Sequence, residues 1–454
     1  MYIMEIFKSL STTRKIMLFF LAAVLVGSFL LWLPISSVKG VNVSYIDALF
    51  TATTAVCVTG LVTLPTYSTW SVFGQIVILI LIQIGGLGIV TVMSGFMIGF
   101  HKRIGIGGRF LIQDAFNLNS LSGIIEFTKK VLIGTFIVEG VGALLYMTVF
   151  IPEFGLKGIW ISVFNSISAF CNAGIDIISD NSLCNYTLNP VINFTSSMLI
   201  ILSGIGYIVW WDFIDAMKSF PEKKFKCLKL LNFHSKIAIS VSLILIFAGG
   251  ILFFIFEFNN PLTIKDMNIP EKLMVSFFQS ITTRTAGFAS VPQENLTNAS
   301  SFVSLLLMFI GGSPTGTAGG IKTVTAAVLI ANAIATIRNK EQTSIFNRAI
   351  PKESVNKSVA VIAVSFGIMS ISTILLCFIT RADILDILYE TVSATATVGL
   401  TRNFTSTLNI WGKLVIIGTM YLGRVGPISL FIALNSQKNS PNSVKNPTEQ
   451  ISVG

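Results

Sequence analysis

The sequence predicts an all-α integral membrane protein: four tandem span–pore-helix–span repeats, with eight transmembrane helices and four re-entrant pore helices around a pseudo-four-fold pore. Two observations carry this reading. Of 454 residues, 53% are hydrophobic and only 11% charged, a balance that suits a bilayer solvent. Four short segments also share one pattern, an aromatic residue ten positions before a glycine: Phe50 to Gly60, Phe164 to Gly174, Phe277 to Gly287 and Tyr389 to Gly399. The glycines recur at nearly equal spacing, so the chain is four copies of one unit.

The units read as residues 1–100, 101–214, 215–340 and 341–434, followed by a polar tail at 435–454. Each begins with an apolar stretch long enough to span: Ile16–Leu33, Val131–Phe150, Ile237–Phe258 and Val359–Thr380. A short amphipathic segment follows, too brief to cross: Tyr45–Val56, Trp160–Phe170, Leu273–Thr283 and Ile384–Thr395. Then come the glycine turn, a polar stretch and a returning span: Val72–Phe100, Phe194–Trp211, Phe302–Ile337 (interrupted) and Leu414–Leu434. Two spans per unit keep all copies in one orientation, related by an axis along the membrane normal. Irregular backbone at membrane depth is tolerated when it is buried in protein or lines a wet cavity, and four such loops at one centre satisfy that.

Charge sets the expected orientation. Most of the 31 Lys and Arg fall in the N-terminal tail, the loops between repeats and the C-terminal tail. The positive-inside rule places both termini in the cytoplasm. The net charge of +10 follows largely from this asymmetry, so nucleic acid is not an expected partner, although Lys223–Lys229 suits lipid headgroups or an acidic partner. The cysteines (Cys57, Cys171, Cys184, Cys227, Cys377) are scattered, and His101 and His234 are the only histidines. That excludes an evident metal or haem motif. Cys57 and Cys171 share one repeat position, where a small side chain fits. The spans offer no paired carboxylates and no nucleophile with a base, so no enzymatic activity and no organic cofactor are expected.

The turn sequences are Val58-Thr59-Gly60, Asn172-Ala173-Gly174, Thr285-Ala286-Gly287 and Thr397-Val398-Gly399. The last opens the Thr-Val-Gly-Tyr-Gly potassium-filter sequence. A glycine reaches positive φ without a Cβ penalty and lets backbones approach. With neutral neighbours, the carbonyl oxygens become the ligands of a large, weakly hydrated cation. Taken singly, each glycine reads as helix packing; four at one repeat position read as a filter.

Gly311-Gly312-Ser313-Pro314-Thr315-Gly316-Thr317-Ala318-Gly319-Gly320 interrupts the sixth span and cannot hold a regular helix. The corresponding stretches Gly85-Gly86-Leu87-Gly88 and Ser203-Gly204-Ile205-Gly206 stay apolar and are expected within their spans. Arg424 lies deep in the eighth span, and an intramembrane charge marks a pathway or pairs with polar groups. Asp176, two residues past Gly174, is placed to concentrate cations at the outer mouth. Arg284 is expected to form a salt bridge away from the axis, Lys322 to snorkel to the interface, and Glu139 to be structural, with no evident partner.

These residues carry a resemblance. The four loops, Gly311–Lys322 and Tyr421-Leu422-Gly423-Arg424-Val425-Gly426-Pro427 resemble the Trk/Ktr/HKT superfamily of potassium transporters, most of all the membrane subunit of bacterial Ktr-type uptake systems. The resemblance covers essentially the whole chain. It implies potassium translocation across the bacterial cytoplasmic membrane through a filter of single-glycine loops, with Gly311–Gly320 as an intramembrane gating loop and Arg424 facing the cavity beneath the filter. It also implies a homodimer, a cytosolic nucleotide-binding regulatory ring and symport, with Na+ as a candidate activator. A serine at the first glycine position accompanies sodium transport in the plant branch; Gly60 therefore favours K+. A sodium-selective or sodium-coupled transporter of the same fold is the alternative.

Overall fold

The computed structural model describes residue 10 and residues 12–100, 105–116 and 123–426; the tail at 435–454, His101 and Pro427 lie outside the described residues. Each repeat opens with a long apolar helix: Thr12–Trp32, Ile124–Phe154, Phe233–Glu257 and Lys352–Ile379. The shortest has 21 residues. At about 1.5 Å rise per residue that crosses a hydrocarbon core of roughly 30 Å. The half-helices follow as Tyr45–Cys57, Lys157–Cys171, Ile269–Thr282 and Ile384–Ala396. The longest has 15 residues, too few to cross.

The half-helices form the buried centre. Their aromatic anchors Phe50, Phe164 and Tyr389 are fully buried. Phe277 is half-buried and stacks edge-on against Phe247, with ring centroids 5.6 Å apart. The lipid-facing surface is carried by the long helices, where Phe136, Ile244 and Phe378 are exposed.

The returning helices are Val72–Leu87, Pro190–Ile205, Asn298–Phe309 and Ile410–Val425. Ser71, Asn189, Thr297 and Asn409 cap them, each side chain accepting from a backbone N–H of the first turn. Here the structure corrects the sequence reading. The second and fourth spans are not continuous; each bends by 98°, at Gly88 and at Gly206, before resuming as Ile89–Gly99 and Tyr207–Lys218. The described part of the eighth span likewise ends at Gly426. The φ values of +80°, +97° and +89° at these glycines are incompatible with a continuing right-handed helix. In the third repeat the same break widens into residues 310–322. A second departure from all-α is a two-residue-per-strand hairpin, Ser344–Ile345 with Arg348–Ala349, turned by Phe346 and Asn347 at positive φ.

Side-chain and backbone bonds tie each repeat to the next. Trp160 Nε1 donates to Gln75 Oε1 (2.8 Å), Leu183 N to Ala289 O (3.0 Å) and Tyr389 Oη to Gln293 Oε1 (2.9 Å). Lys413 closes the ring on Asp47 at 2.6 Å. The fourth unit therefore packs on the first, as a closed ring requires.

Candidate ion pathway

Three of the half-helices end three residues before their glycine and that of the third repeat ends five before it, and the residue two before each glycine is left-handed: Val58 (φ +53°), Asn172 (+59°), Thr285 (+70°) and Thr397 (+51°). The glycines are left-handed too, Gly60 at +99°, Gly174 at +63°, Gly287 at +81° and Gly399 at +97°. For residues with a Cβ this region is costly, about 1–2 kcal/mol each, and four repeats hold it together.

The four glycines meet. A Cβ built on Gly287 would lie 3.1 Å from Gly174 Cα and 3.3 Å from Gly399 Cα, and one on Gly60 would lie 3.1 Å from Gly399 Cα. The remaining side of the ring runs from Gly60 to the Ala173 carbonyl, 2.5 Å from the same built atom. Thr59, Ala173, Ala286 and Val398 stand between the left-handed pairs, and all twelve residues are buried. The glycines floor a single cavity of about 360 Å³, walled by Asp176, Asp180 and Glu294 among others.

Hydroxyls fix the turns, a feature the sequence reading missed. Thr54 Oγ1 accepts from Gly60 N (2.9 Å) and Ser393 Oγ from Gly399 N (3.0 Å). Ser168 Oγ accepts from Ile175 N (3.1 Å). These three lie six residues before their glycines. In the third loop the hydroxyl is one residue nearer: Thr282 Oγ1 donates to Phe288 O at 2.6 Å. The recurrence of Thr, Ser and Ser at one repeat position was the available signal.

A family model described as "TrkH: Cation transport protein" matches residues 8–446. The chain belongs to this family. It is therefore a multi-pass membrane transporter rather than an enzyme. It is 38% identical to the "Potassium/sodium uptake protein NtpJ" of Enterococcus hirae, covering 98% of each chain. It is 37% identical to the "Ktr system potassium uptake protein B" of Bacillus subtilis, over 96% of this chain and 95% of that one. Among solved structures it resembles the potassium transporter TrkH from Vibrio parahaemolyticus, with a TM-score of 0.75 at 16% identity, covering 93% of this chain and 84% of that one. That likeness speaks for the fold: pore-helix repeats in a membrane.

In this TrkH-family chain the segment Gly311–Gly320 lies directly against the glycine loops, on the side away from the 360 Å³ cavity. Asn172 Nδ2 donates to Thr317 Oγ1 (2.8 Å), which donates to Phe170 O (3.1 Å). Gly319 N donates to Thr285 Oγ1 (3.2 Å). The segment is also stitched to the fourth-span break, through Ser313 N to Gly204 O (2.8 Å) and Thr317 N to Ser203 O (3.3 Å).

Three cations reach this region. Arg424 donates to Thr317 O (2.7 Å) and Gly85 O (2.5 Å), bridging the third repeat to the first. Lys322, expected to snorkel, folds its Nζ back 2.6 Å onto Ala318 O. Arg284 forms no salt bridge among the described residues. It bonds Ser242 Oγ (3.2 Å) and Gly311 O (3.3 Å) instead, because no carboxylate lies within reach of its buried site. Glu139, predicted partnerless, receives both Gln83 Nε2 contacts, at 3.1 and 3.3 Å. Asp176 stands in the cavity wall and accepts from Ile178 N (3.2 Å).

Proposed function

We propose that this chain takes up K+ through a filter formed by the backbone carbonyls of Val58, Thr59, Gly60, Asn172, Ala173, Gly174, Thr285, Ala286, Gly287, Thr397, Val398 and Gly399. The observation that carries the reading is the closed ring of four left-handed glycines at the floor of the cavity. Alternating conformations turn successive carbonyls toward one axis, and neutral oxygens replace the hydration shell of a weakly hydrated cation. Asp176, with Asp180, gives the cavity a negative wall that raises the local cation concentration.

Gly311–Gly320 with Arg424 acts as the gate. The segment blocks the far side of the glycine ring, held by individual hydrogen bonds such as Asn172 to Thr317, Gly319 N to Thr285 and Ser313 N to Gly204 O. Arg424 adds a positive charge in the path and holds the Thr317 carbonyl. The cavity side faces outward and both termini lie in the cytoplasm, supported by the distribution of Lys and Arg. The potassium-uptake names of relatives at 37–38% identity support the substrate. The relatives named as Ktr-system proteins support assembly with other subunits of such a system; that the partner is a cytosolic nucleotide-binding ring and the chain a homodimer is what the sequence resemblance implies. The "potassium/sodium" name of one relative keeps Na+ as a co-substrate or activator.

The test is uptake of 86Rb+ and 22Na+ into proteoliposomes holding the full chain, with Gly287→Asp as the blocked variant. Rb+ flux above Na+ flux, lost in Gly287→Asp, is expected. Na+ flux equal to or above Rb+ flux, or wild-type flux through Gly287→Asp, overturns the reading.

A further inference from the structure

Arg284 carries its charge into the protein interior, and among the described residues no carboxylate meets it. Buried charges are normally paired, because taking them out of water is costly. The guanidinium instead makes three bonds to neutral oxygens: Nη1 to Ser242 O (3.5 Å), and Nη2 to Ser242 Oγ (3.2 Å) and Gly311 O (3.3 Å). All three are long for a charged donor, which favours about 2.7–2.9 Å with a charged acceptor. The buried Nε–H has no acceptor. An orphaned donor on an unpaired buried cation requires a reason.

A cavity of about 10 Å³ adjoins this side chain. Its walls come from four elements: Ile200 and Gly204 of the fourth span, Ser242 of the long helix Phe233–Glu257, Ile281 of the third half-helix and Gly312 of the interrupting segment. That is room for one occupant of about the size of a water molecule. The polar side chains in the wall are Arg284 and Ser242, and both have a proton to give. Ser242 Oγ accepts from Arg284, which leaves its own O–H to donate. The neighbouring carbonyls are engaged: Gly204 O accepts from Ser313 N (2.8 Å) and Gly312 O from Thr323 N (3.0 Å). A water here would meet two donors and isoleucine, with no uncommitted acceptor for its own protons. An anion needs only the donors, and it supplies the charge that Arg284 lacks.

We propose that this cavity binds one monatomic anion of the chloride class, held by Arg284 Nε–H and Ser242 Oγ–H, as the counter-ion of the buried guanidinium. The atom-sized space shuts out oxyanions such as sulfate or phosphate, and the isoleucine walls suit a weakly hydrated halide. Bound there, the anion fixes the guanidinium in the pose that bonds Gly311 O. It thereby ties the start of the interrupting segment to the long helix of the third repeat through Ser242.

The thermal unfolding midpoint of the full chain in detergent, followed as potassium gluconate is exchanged for KCl at constant K+, reads the site. A saturable rise of about 2–4 °C is expected. Arg284→Met is expected to abolish the rise. Ser242→Ala is expected to raise the half-effective chloride concentration about tenfold, the loss of one neutral donor. Potassium sulfate at equal K+ is expected to give no rise. The same rise in Arg284→Met, or with sulfate, assigns the effect to salt elsewhere on the protein and overturns the site. Where wild type shows no rise, or Arg284→Met does not fold, a second measurement decides. Wild-type protein expressed, purified and crystallised with bromide replacing chloride is expected to show an anomalous-scattering peak beside Arg284 Nε. The absence of that peak overturns the proposal.

Discussion

Lys413 of the last described helix reaches Asp47 of the first half-helix at 2.6 Å across 366 residues of sequence. Both side chains are largely buried, at 15% and 12% exposure, so this is not a screened surface pair. It joins the two ends of a four-unit chain. Removing one partner leaves an uncompensated charge, at a cost of roughly 3–5 kcal/mol. Lys413→Met is expected to lower the thermal unfolding midpoint in detergent. Lys413→Met with Asp47→Asn is expected to recover part of the loss. Additive losses in this double-mutant cycle would show that the pair does not close the ring.

The hydroxyl clamps predict selectivity effects separate from folding. Thr54→Val and Ser393→Ala each strand a buried glycine N–H, worth about 1–3 kcal/mol in local geometry. A lower Rb+ to Na+ flux ratio is expected in both, with Thr54→Ser close to wild type. An unchanged ratio in both variants would place the control of carbonyl direction elsewhere.

The span breaks offer a clean contrast between strain and contact. Among the described residues Gly88 has only Thr91 Oγ1 near a built Cβ, at 4.0 Å, so Gly88→Ala carries little beyond the strain of φ +80°. A loss of about 1–2 kcal/mol in unfolding free energy is expected. Gly206 is crowded by the Pro314 carbonyl and by Thr315 Oγ1 at 3.2 Å. Gly206→Ala is therefore expected to lose more stability and also to raise 86Rb+ flux, by displacing the segment. Equal effects on flux in the two variants would contradict this.

Asp176 lies in the cavity wall outside the spanning helices, and burial pushes its carboxyl up to about 6. Such a group is charged above that pH and neutral below it. Acidifying the cavity side from about 7.5 to about 5 is expected to reduce subsaturating Rb+ uptake as the wall loses its charge. In Asp176→Asn the profile should flatten across that window. A wild-type profile in the variant would assign the pH response to another group.

Much of this was legible in the sequence because repeats compare a chain with itself. The aromatic-to-glycine register located all four half-helices within a few residues, and apolar length located the long helices. Arg424 was singled out by burial cost alone, and it does bond a carbonyl of the interrupting segment. Arg284 and Lys322 were misjudged for a common reason. Each bonds a backbone oxygen, of Gly311 and of Ala318 respectively, and backbone oxygens carry no residue-type signature. The breaks at Gly88 and Gly206 were equally hidden, since an apolar glycine-containing stretch reads alike whether the helix continues or turns.

The membrane class, the four units and the glycine at each turn are legible in the order of residues alone. These follow from composition and from a period that needs no contacts to detect. That the four glycines meet, and that residues 311–320 lie directly against the loops carrying them, emerges from the folded chain alone. The glycines stand more than a hundred positions apart in sequence, and the segment reaches back 145 positions from Thr317 to Asn172. Their geometry is set largely by hydrogen bonds to backbone groups, which every segment of chain presents alike.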